Sequence, residues 1–257
     1  MLHVTGIPAF QDNYIWLLQR PNAARVVVVD PGDATPVLNY LQHHQLQLDS
    51  ILLTHHHRDH IGGVATLKAA TGAVVYGPAI DRIVECDVAF KGGESVRLAC
   101  LDLELDVLAV PGHVREHIAF YGDGRLFCGD TLFLGGCGRV FTGTVEQLWQ
   151  SLKVLAALPA ATLVYCTHEY TASNLRFARA VEPEHPAVLM RERGVLALRA
   201  RALPTIPGLL GEECRSNPFL RCHEPGLQAT VARATGAPVF DELSCFTALR
   251  AWKNQFS

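Results

Sequence analysis

The chain has 257 residues, 49% of them hydrophobic, which is enough for a sizeable buried core in one large domain or in a domain with a smaller appendage. Its 22 basic and 25 acidic residues give a formal charge of -3, which lacks the strongly basic balance of general nucleic-acid binders. We therefore expect no nucleic-acid partner.

The N-terminal residues contain no basic leader followed by an apolar run, and no stretch approaches the length needed to span a bilayer. Eight cysteines occur without a C-x-x-C pair, which favours reduced packing residues over a disulfide framework. We interpret Cys137, which is flanked by glycines, as a small side chain in a tight turn. These features predict a cytoplasmic protein with no membrane partner, and we expect a monomer.

Short β-branched runs alternate with turn residues over the first two thirds of the chain. They predict strands at 26–29, 51–53, 74–76, 107–110, 118–121, 126–128 and 163–166, with helices around 36–44 and 63–70. This alternation predicts an α/β layered domain over residues 1–170.

The character of the sequence changes after Tyr170. Thr171 or Ser173 is predicted to cap a first helix, and further helices are predicted from Pro186 towards 202 and from about 243 to 256. The stretches 204–211 and 216–218 are predicted loops. Residues 171–257 are therefore expected to form a smaller, mostly helical domain.

The strongest chemical feature is the segment T-H-H-H-R-D-H at residues 54–60, which directly follows an apolar strand. Alternate residues of an extended segment share a face, so His55 and His57 can reach one metal ion together. Asp59 and His60, beyond the turn, can face a second ion. The alternative is a histidine-rich surface loop that binds metals loosely.

Three later segments place one candidate ligand each where a predicted strand ends: His113 in V-P-G-H, Asp130 in F-C-G-D and His168 in Y-C-T-H. They favour a metal centre over a loose loop.

Two other histidines are weaker candidates. Strand alternation points His56 away from the site and predicts that it is exposed, whereas we interpret His117 as a buried, hydrogen-bonded residue.

The pattern T-H-x-H-x-D-H, followed by P-G-H, G-D-T and a distal histidine, resembles the metallo-β-lactamase superfamily over residues 54–168. The resemblance implies an αββα sandwich. It also implies that His55, His57 and His113 hold a first metal ion, that Asp59, His60 and His168 hold a second, and that Asp130 bridges both. Two partly compensated dications can acidify a shared water, so a bridging hydroxide would be the nucleophile, with Asp59 also orienting it. Residues 114–116 depart from the family's T-x-G.

Two longer stretches, residues 129–139 and 167–178, look like signatures of glyoxalase II, and P-A-F-Q-D-N-Y at residues 8–14 is similar as well. This family hydrolyses S-(2-hydroxyacyl)glutathione, such as S-D-lactoylglutathione, to glutathione and a 2-hydroxy acid such as D-lactate, the second step of methylglyoxal detoxification. The resemblance implies two divalent ions as cofactors, and we expect zinc, with iron or manganese as alternatives.

Several residues are candidates for substrate binding. Arg139 offers a fork suited to a carboxylate, and Arg250 and Lys253 share one face of the terminal helix, although each also fits an ordinary surface charge. The resemblance implies that glutathione contacts Arg139, Tyr170, Arg250 and Lys253, beside His168 and Phe141. Phe141 stands where some members have a tyrosine, and it cannot donate a hydrogen bond.

Three other functions are compatible with parts of this pattern. The first is another hydrolase of the superfamily, acting on a different thioester or a lactam, although a lactamase should not need the helix with Arg250 and Lys253. The second is a sulfur dioxygenase with a single iron, in which His60 and His168 would be idle. The third is a metal-stabilised module that binds RNA or protein, with ions closed to water.

Overall fold

A computed structural model describes residues 1–256 of the chain. It contains two compact units, one formed by Met1–Ala109 and Glu116–Gly129, the other by Val110–Arg115 and the residues from Asp130 onward. None of the helices within residues 1–256 has both the length and the apolar character that a membrane crossing needs.

The first unit contains a six-stranded sheet whose strands follow one another in chain order. The strands are β1 (His3–Ala9), β2 (Asn13–Gln19), β3 (Arg25–Val29), β4 (Gln47–Leu52), β5 (Val74–Pro78) and β6 (Val88–Phe90). The first three are antiparallel, and the pairs from β3 to β6 are parallel. The parallel pairs need crossover connections, which is where the helices of this unit occur.

Three helices connect the parallel strands: α1 (Ala34–His44), α2 (Arg58–Ile61) and α3 (Val64–Thr71). The Asp33 side chain caps α1 by accepting a hydrogen bond from the Thr35 amide at 2.8 Å. Apolar residues of α1 and α3, such as Val37 and Leu67, join Val26 and Val28 of β3 in one buried core. The strands and helices predicted between residues 26 and 76 are therefore confirmed.

The remaining strands of the first unit form an antiparallel meander: β7 (Ser95–Leu98), β8 (Leu103–Ala109), β9 (Ile118–Gly122) and β10 (Arg125–Gly129). Buried and exposed residues alternate along β8, as expected of a strand with one face against a core. The three strands predicted between residues 107 and 128 are confirmed.

The second unit is mostly helical. It begins with a hairpin of β11 (Leu132–Phe133) and β12 (Gly136–Cys137), followed by α4 (Val145–Ala156), β13 (Leu163–Cys166), α5 (Thr171–Val181), α6 (Pro186–Arg199), β14 (Gly208–Leu209), α7 (Leu210–Ser216), α8 (Pro225–Thr235) and α9 (Glu242–Gln255). Reciprocal capping boxes start α4 at Thr144 and α9 at Asp241. The predicted strand at 163–166 and the helices starting near 171, 186 and 243 are confirmed.

Three local predictions were wrong: the cap at Thr171 or Ser173 and the loops at 204–211 and 216–218. Neither Thr171 nor Ser173 caps α5, because the N-cap is Tyr170 and makes no side-chain cap bond; the Thr171 hydroxyl instead lies 2.6 Å from the Thr205 hydroxyl. The stretch 204–211 is not a loop throughout, since it contains β14 and the start of α7. In the stretch 216–218, Ser216 is the last residue of α7 and Pro218 begins a 3-10 helix, so only Asn217 lies outside a helix. Strand β14 has only two residues and pairs antiparallel with β13. No local sequence pattern predicts this pairing.

Gly194 offers a test of the helical assignment of α6. A Cβ added at Gly194 would meet nothing within 4 Å. Because glycine in a helix interior costs roughly 0.5–1 kcal/mol relative to alanine, Gly194→Ala should raise the free energy of unfolding by about that amount, measured by urea denaturation. Gly72→Ala is the matched control: its Cβ is equally unhindered, but its φ of +70° requires a left-handed backbone, so this variant should be destabilised. Equal effects would contradict this account.

Candidate metal centre

Four predicted ligands lie between the end of β4 and the end of α2. The chain leaves β4 at Leu52 and enters α2 after His57, which is extended with φ and ψ of -66° and 146°. His55 and His57 consequently share a side, with His55 Nε2 3.0 Å from His57 Nδ1. Asp59 and His60 lie in the first turn of α2, and Asp59 Oδ2 is 3.5 Å from His60 Nε2.

A buried carboxylate sets the orientation of the His60 ring. Asp30 Oδ2 lies 3.0 Å from His60 Nδ1, and both side chains are almost completely buried. Because a carboxylate can only accept, Nδ1 carries the ring proton, which leaves the Nε2 lone pair of a neutral His60 available to a metal ion. The Thr54 amide and hydroxyl donate to Asp30 at 2.8 and 2.7 Å and hold that carboxylate in place.

Close backbone packing and a hydrogen bond also fix Asp59. The buried Asn13 side chain donates to Asp59 Oδ2 at 3.1 Å. Gly32 packs so tightly on this turn that an added Cβ would lie 1.9 Å from the Asp59 carbonyl oxygen, so only glycine fits. A cavity of about 470 Å³ adjoins Asp59, and Phe10, which is 60% exposed, and Arg58 lie in its wall.

The other three predicted ligands belong to the second unit. His113 Nδ1 lies 2.7 Å from the Arg139 carbonyl oxygen, so it donates there and leaves its Nε2 lone pair available. The two carboxylate oxygens of Asp130 face different rings: Oδ2 is 3.5 Å from His113 Nε2, and Oδ1 is 3.5 Å from His168 Nε2. This divided arrangement suits a carboxylate that bridges two ions.

The candidate ligand atoms form two groups. In each group, the atoms lie within 4.8 Å of one another; the groups are His55, His57, His113 and Asp130, and Asp59, His60 and His168. These are the sets that the sequence resemblance implies for a first and a second ion. Imidazole nitrogens and a small number of carboxylate oxygens suit divalent zinc, iron or manganese, so the donor chemistry fits. The assignment of each residue as a metal ligand remains a prediction.

The two neighbouring histidines behave differently. His117 is buried as predicted, and its ring stacks on His55 with centroids 4.6 Å apart. His56 was predicted to be exposed but is half-buried, and Arg82 donates to its Nε2 at 3.3 Å. Burial, with added repulsion from His57 and Arg82, lowers the pKa of His56 and favours the neutral ring that accepts this bond.

Three predicted substrate contacts lie close to these ligands. The Tyr170 ring stacks on His168 with a centroid separation of 4.7 Å. The exposed Phe141 ring meets His113 edge-on at 5.1 Å, and the Arg139 guanidinium lies 5.8 Å from the Phe141 centroid. Within residues 1–256 the exposed Arg139 side chain has no hydrogen bond or ion pair, so its donors are available to a carboxylate.

Arg250 and Lys253 share a face of α9 but have different surroundings. Arg250 is only 6% exposed, and it donates to the carbonyl oxygens of Cys137 and Gly138 at 3.0 and 3.3 Å. Lys253 Nζ lies 5.2 Å from the Phe177 ring centroid. Burial, followed by repulsion from Arg250 and Arg176, lowers the pKa of Lys253 to about 8. Arg250 is thus already engaged by the protein, whereas Lys253 is a cation in an unfavourable setting that an anion would improve.

Sequence reasoning missed Asp30 and Asn13. Asp30 lies 30 residues from His60, and Asn13 lies 46 residues from Asp59. In the sequence, Asp30 directly follows the four valines of the strand predicted at 26–29. Its position at the end of a buried strand, like those of the predicted ligands, was the one signal available.

Comparison with known proteins identifies the family. Residues 10–168 match the family model described as the metallo-beta-lactamase superfamily, and residues 169–256 match the one described as the hydroxyacylglutathione hydrolase C-terminus. A hydroxyacylglutathione hydrolase of Pseudomonas fluorescens (strain SBW25) is 50% identical over 257 residues, covering 100% of both chains. The chain belongs to the hydroxyacylglutathione hydrolase family.

Solved structures show the same fold as this hydroxyacylglutathione hydrolase family member. The crystal structure of BLEG-1 B3 metallo-beta-lactamase matches with a TM-score of 0.63 at 22% identity, covering 86% of this chain and 99% of that one. TTHA1623, solved in a di-iron-bound form, matches with a TM-score of 0.60 at 26% identity, covering 85% and 100%. The predicted α/β metallo-β-lactamase fold with a C-terminal helical region is confirmed, and membership of the superfamily implies binding of divalent metal.

Replacing Asp30 tests whether it orients His60. Asp30→Asn keeps the shape but can present an amide N–H to His60 Nδ1, which would favour the wrong ring tautomer. Because partners of metal-bound histidines typically contribute 10–100-fold in metal affinity, we expect a loss of about tenfold or more, measured by competition with a chromophoric chelator. Asp49→Asn, at the Arg25 ion pair, is the control and should retain metal. Wild-type affinity in Asp30→Asn would contradict this role.

Proposed function

We propose that the chain hydrolyses S-(2-hydroxyacyl)glutathione thioesters, with S-D-lactoylglutathione as a substrate, releasing glutathione and a 2-hydroxy acid. The observation that carries this proposal is the pair of His/Asp groups with ligand atoms within 4.8 Å, in a chain 50% identical over its full length to a hydroxyacylglutathione hydrolase. This is the second step of methylglyoxal detoxification that the sequence resemblance implies.

The proposed cofactors are two divalent ions, with zinc preferred. His55, His57 and His113 would hold one ion, Asp59, His60 and His168 the other, and Asp130 both, which its two differently directed oxygens support. When bound, such ions supply Lewis-acid polarisation of a carbonyl and lower the pKa of water towards about 7. The di-iron form of TTHA1623 supports two ions per chain.

The protein's own residues contribute orientation rather than proton transfer. Asp30 and the Arg139 carbonyl hold the Nδ1 protons of His60 and His113, so each ring presents a lone pair on Nε2. Asn13 holds Asp59 through Oδ2. A thiol leaving group, with a pKa of about 8.5, departs as a thiolate without a strong general acid. The Cys137 thiol is no rival nucleophile, because burial raises its pKa and keeps it protonated.

Recognition of the glutathione part is proposed for the C-terminal residues and the segment after Asp130. Arg139 and Lys253 would bind its carboxylates, and Tyr170 and Phe141 would pack beside it. Arg250 would also contact glutathione. The proposed domains are residues 1–170 for catalysis and 171–257 for glutathione binding, and the meeting of the two family matches at residues 168 and 169 supports this boundary. The cavity beside Asp59 offers room for the hydroxyacyl group.

The proposed setting is the cytoplasm, and the proposed state is a monomer. All eight cysteines are free thiols, and five of them are buried. Free buried thiols suit a reducing compartment, where glutathione itself is abundant.

Hydrolysis of S-D-lactoylglutathione by the purified, zinc-loaded protein tests the proposal directly. We expect loss of thioester absorbance with a kcat/KM in the usual enzymatic range of about 10⁴–10⁸ M⁻¹s⁻¹. Asp130→Asn should lower kcat by at least about tenfold, as expected for a residue that contacts both ions. A fully metallated wild-type protein that leaves this thioester intact would defeat the proposal. A lactam substrate assayed in parallel distinguishes thioester hydrolysis from the alternative lactam hydrolysis.

The lowered pKa of Lys253 predicts how the KM depends on pH. With a pKa of about 8, the ammonium is charged below that pH and neutral above it. If it binds a glutathione carboxylate, KM should rise as pH increases from 7 to 9, after subtraction of uncatalysed hydrolysis. Lys253→Arg stays charged, so its KM should vary less, and Lys253→Gln should have a high KM throughout. A wild-type KM that is independent of pH would show that Lys253 does not bind the substrate.

A further inference from the structure

The segment between Asp130 and Arg139 has little regular structure of its own. It contains the β11–β12 hairpin, with only two residues in each strand, and the glycines at 135, 136 and 138. We call Leu132–Gly138 the hairpin segment. Such a short, glycine-rich hairpin is not stable by itself, so its position must come from other parts of the second unit.

Buried side chains of helical residues hold the peptide groups of the hairpin segment. Asn217, at the end of α7, is completely buried, and its Nδ2 donates to the carbonyl oxygens of Phe133 at 3.3 Å and Gly136 at 2.9 Å. Glu213 on α7 is also completely buried, and its Oε2 accepts from the Gly135 amide at 2.8 Å. Asn217 Nδ2 is 3.1 Å from the same Glu213 oxygen, so the two residues form one polar cluster.

Two further side chains complete this contact. Asn174 on α5 donates to the Leu134 carbonyl oxygen at 3.2 Å, and Arg250 on α9 donates to the carbonyls of Cys137 and Gly138. Peptide groups at every position from 133 to 138 are thus bonded to a side chain that lies more than 35 positions further along the chain. Glu213 is anchored in turn by the Arg191 guanidinium.

The hairpin segment is tied to two predicted metal ligands. The Gly138 amide donates to the Thr131 carbonyl at 3.1 Å, and a Cβ on Gly138 would lie 1.9 Å from the Asp130 carbonyl oxygen. The next residue, Arg139, provides the carbonyl that receives the His113 Nδ1 proton at 2.7 Å. A shift of the hairpin segment would therefore move Asp130 and remove the hydrogen bond that orients His113.

We propose that Asn217 is a positioning residue for the metal centre: it holds the hairpin segment, which sets the Asp130 backbone and the His113 ring. The helical region therefore has a role in catalysis beyond glutathione binding. The inference rests on the proposed function to the extent that His113 and Asp130 hold metal. Its physical basis is that loss of Asn217 leaves two hairpin carbonyls without their buried donor, and the segment can shift to find water.

The test compares Asn217→Ala with Glu182→Gln. Glu182 binds the nearly buried Arg221 at 2.6 and 3.1 Å, and among the described residues it has no hydrogen bond or ion pair with the hairpin segment. Glu182→Gln should therefore lose stability without moving that segment. Three quantities are measured for both variants and the wild type. Zinc affinity is measured by chelator competition, kcat and KM are measured with S-D-lactoylglutathione, and the free energy of unfolding is measured by urea denaturation.

For Asn217→Ala we expect zinc affinity and kcat each to fall about tenfold with KM changed by less than about twofold, the pattern of a lost orienting partner. Glu182→Gln should retain wild-type zinc affinity and kcat. Should Asn217→Ala fail to fold, Asn174→Ala, which removes a single hairpin bond, should show a smaller change in the same direction.

Different results overturn the two proposals. An Asn217→Ala protein with the zinc affinity and kcat of Glu182→Gln overturns the positioning role. A wild-type protein that binds zinc but does not cleave the thioester overturns the proposed function, while reduced zinc affinity in Asn217→Ala would still support the positioning role. A wild-type protein that binds no divalent metal overturns both.

Discussion

Directed lone pairs are the constraint on which the candidate metal centre depends. A neutral imidazole has one protonated and one unprotonated nitrogen, so a partner that accepts from the first determines what the second can do. The Asp30 carboxylate serves His60 in this way, and the Arg139 carbonyl serves His113. Tight turns built on Gly32 and Gly138 bring the backbone close enough for these partners to be held rigidly. The same few hydrogen bonds therefore both stabilise the fold and orient the candidate metal ligands.

The sequence predicted the parts of the molecule that local patterns encode. Valine runs and helix periodicity predicted the main elements, and a histidine or aspartate at the end of several predicted strands gave the candidate ligands that the two groups contain. Asp30, Asn13 and Asn217 were not found, because their importance comes from partners between 30 and 84 residues away. The Thr171 cap failed for the same reason, since a distant threonine hydroxyl engages its side chain. Long-range hydrogen bonds leave no periodicity for a sequence pattern to reveal.

Arg250 and Lys253 lie on the same face of α9 but have different chemical environments. Their three-residue separation predicted a shared helix face, and the family resemblance implied that both contact glutathione. The structure keeps both on one face of α9, yet Arg250 is buried against the Cys137 and Gly138 carbonyls while Lys253 is destabilised by burial and by neighbouring cations. The arginine, whose charge is not lost at any ordinary pH, suits permanent burial, and the lysine suits reversible contact with an anion.

The dependence of the hairpin segment on α5, α7 and α9 limits how this scaffold can be rebuilt. A chain shortened after His168 would retain every proposed metal ligand but would lose the side chains that satisfy the hairpin carbonyls. Engineers who exchange C-terminal regions among members of the superfamily would need to graft these donors along with the substrate pocket. The helical region is in that sense not an interchangeable module, because a transplanted region would have to reproduce these few contacts with the hairpin backbone.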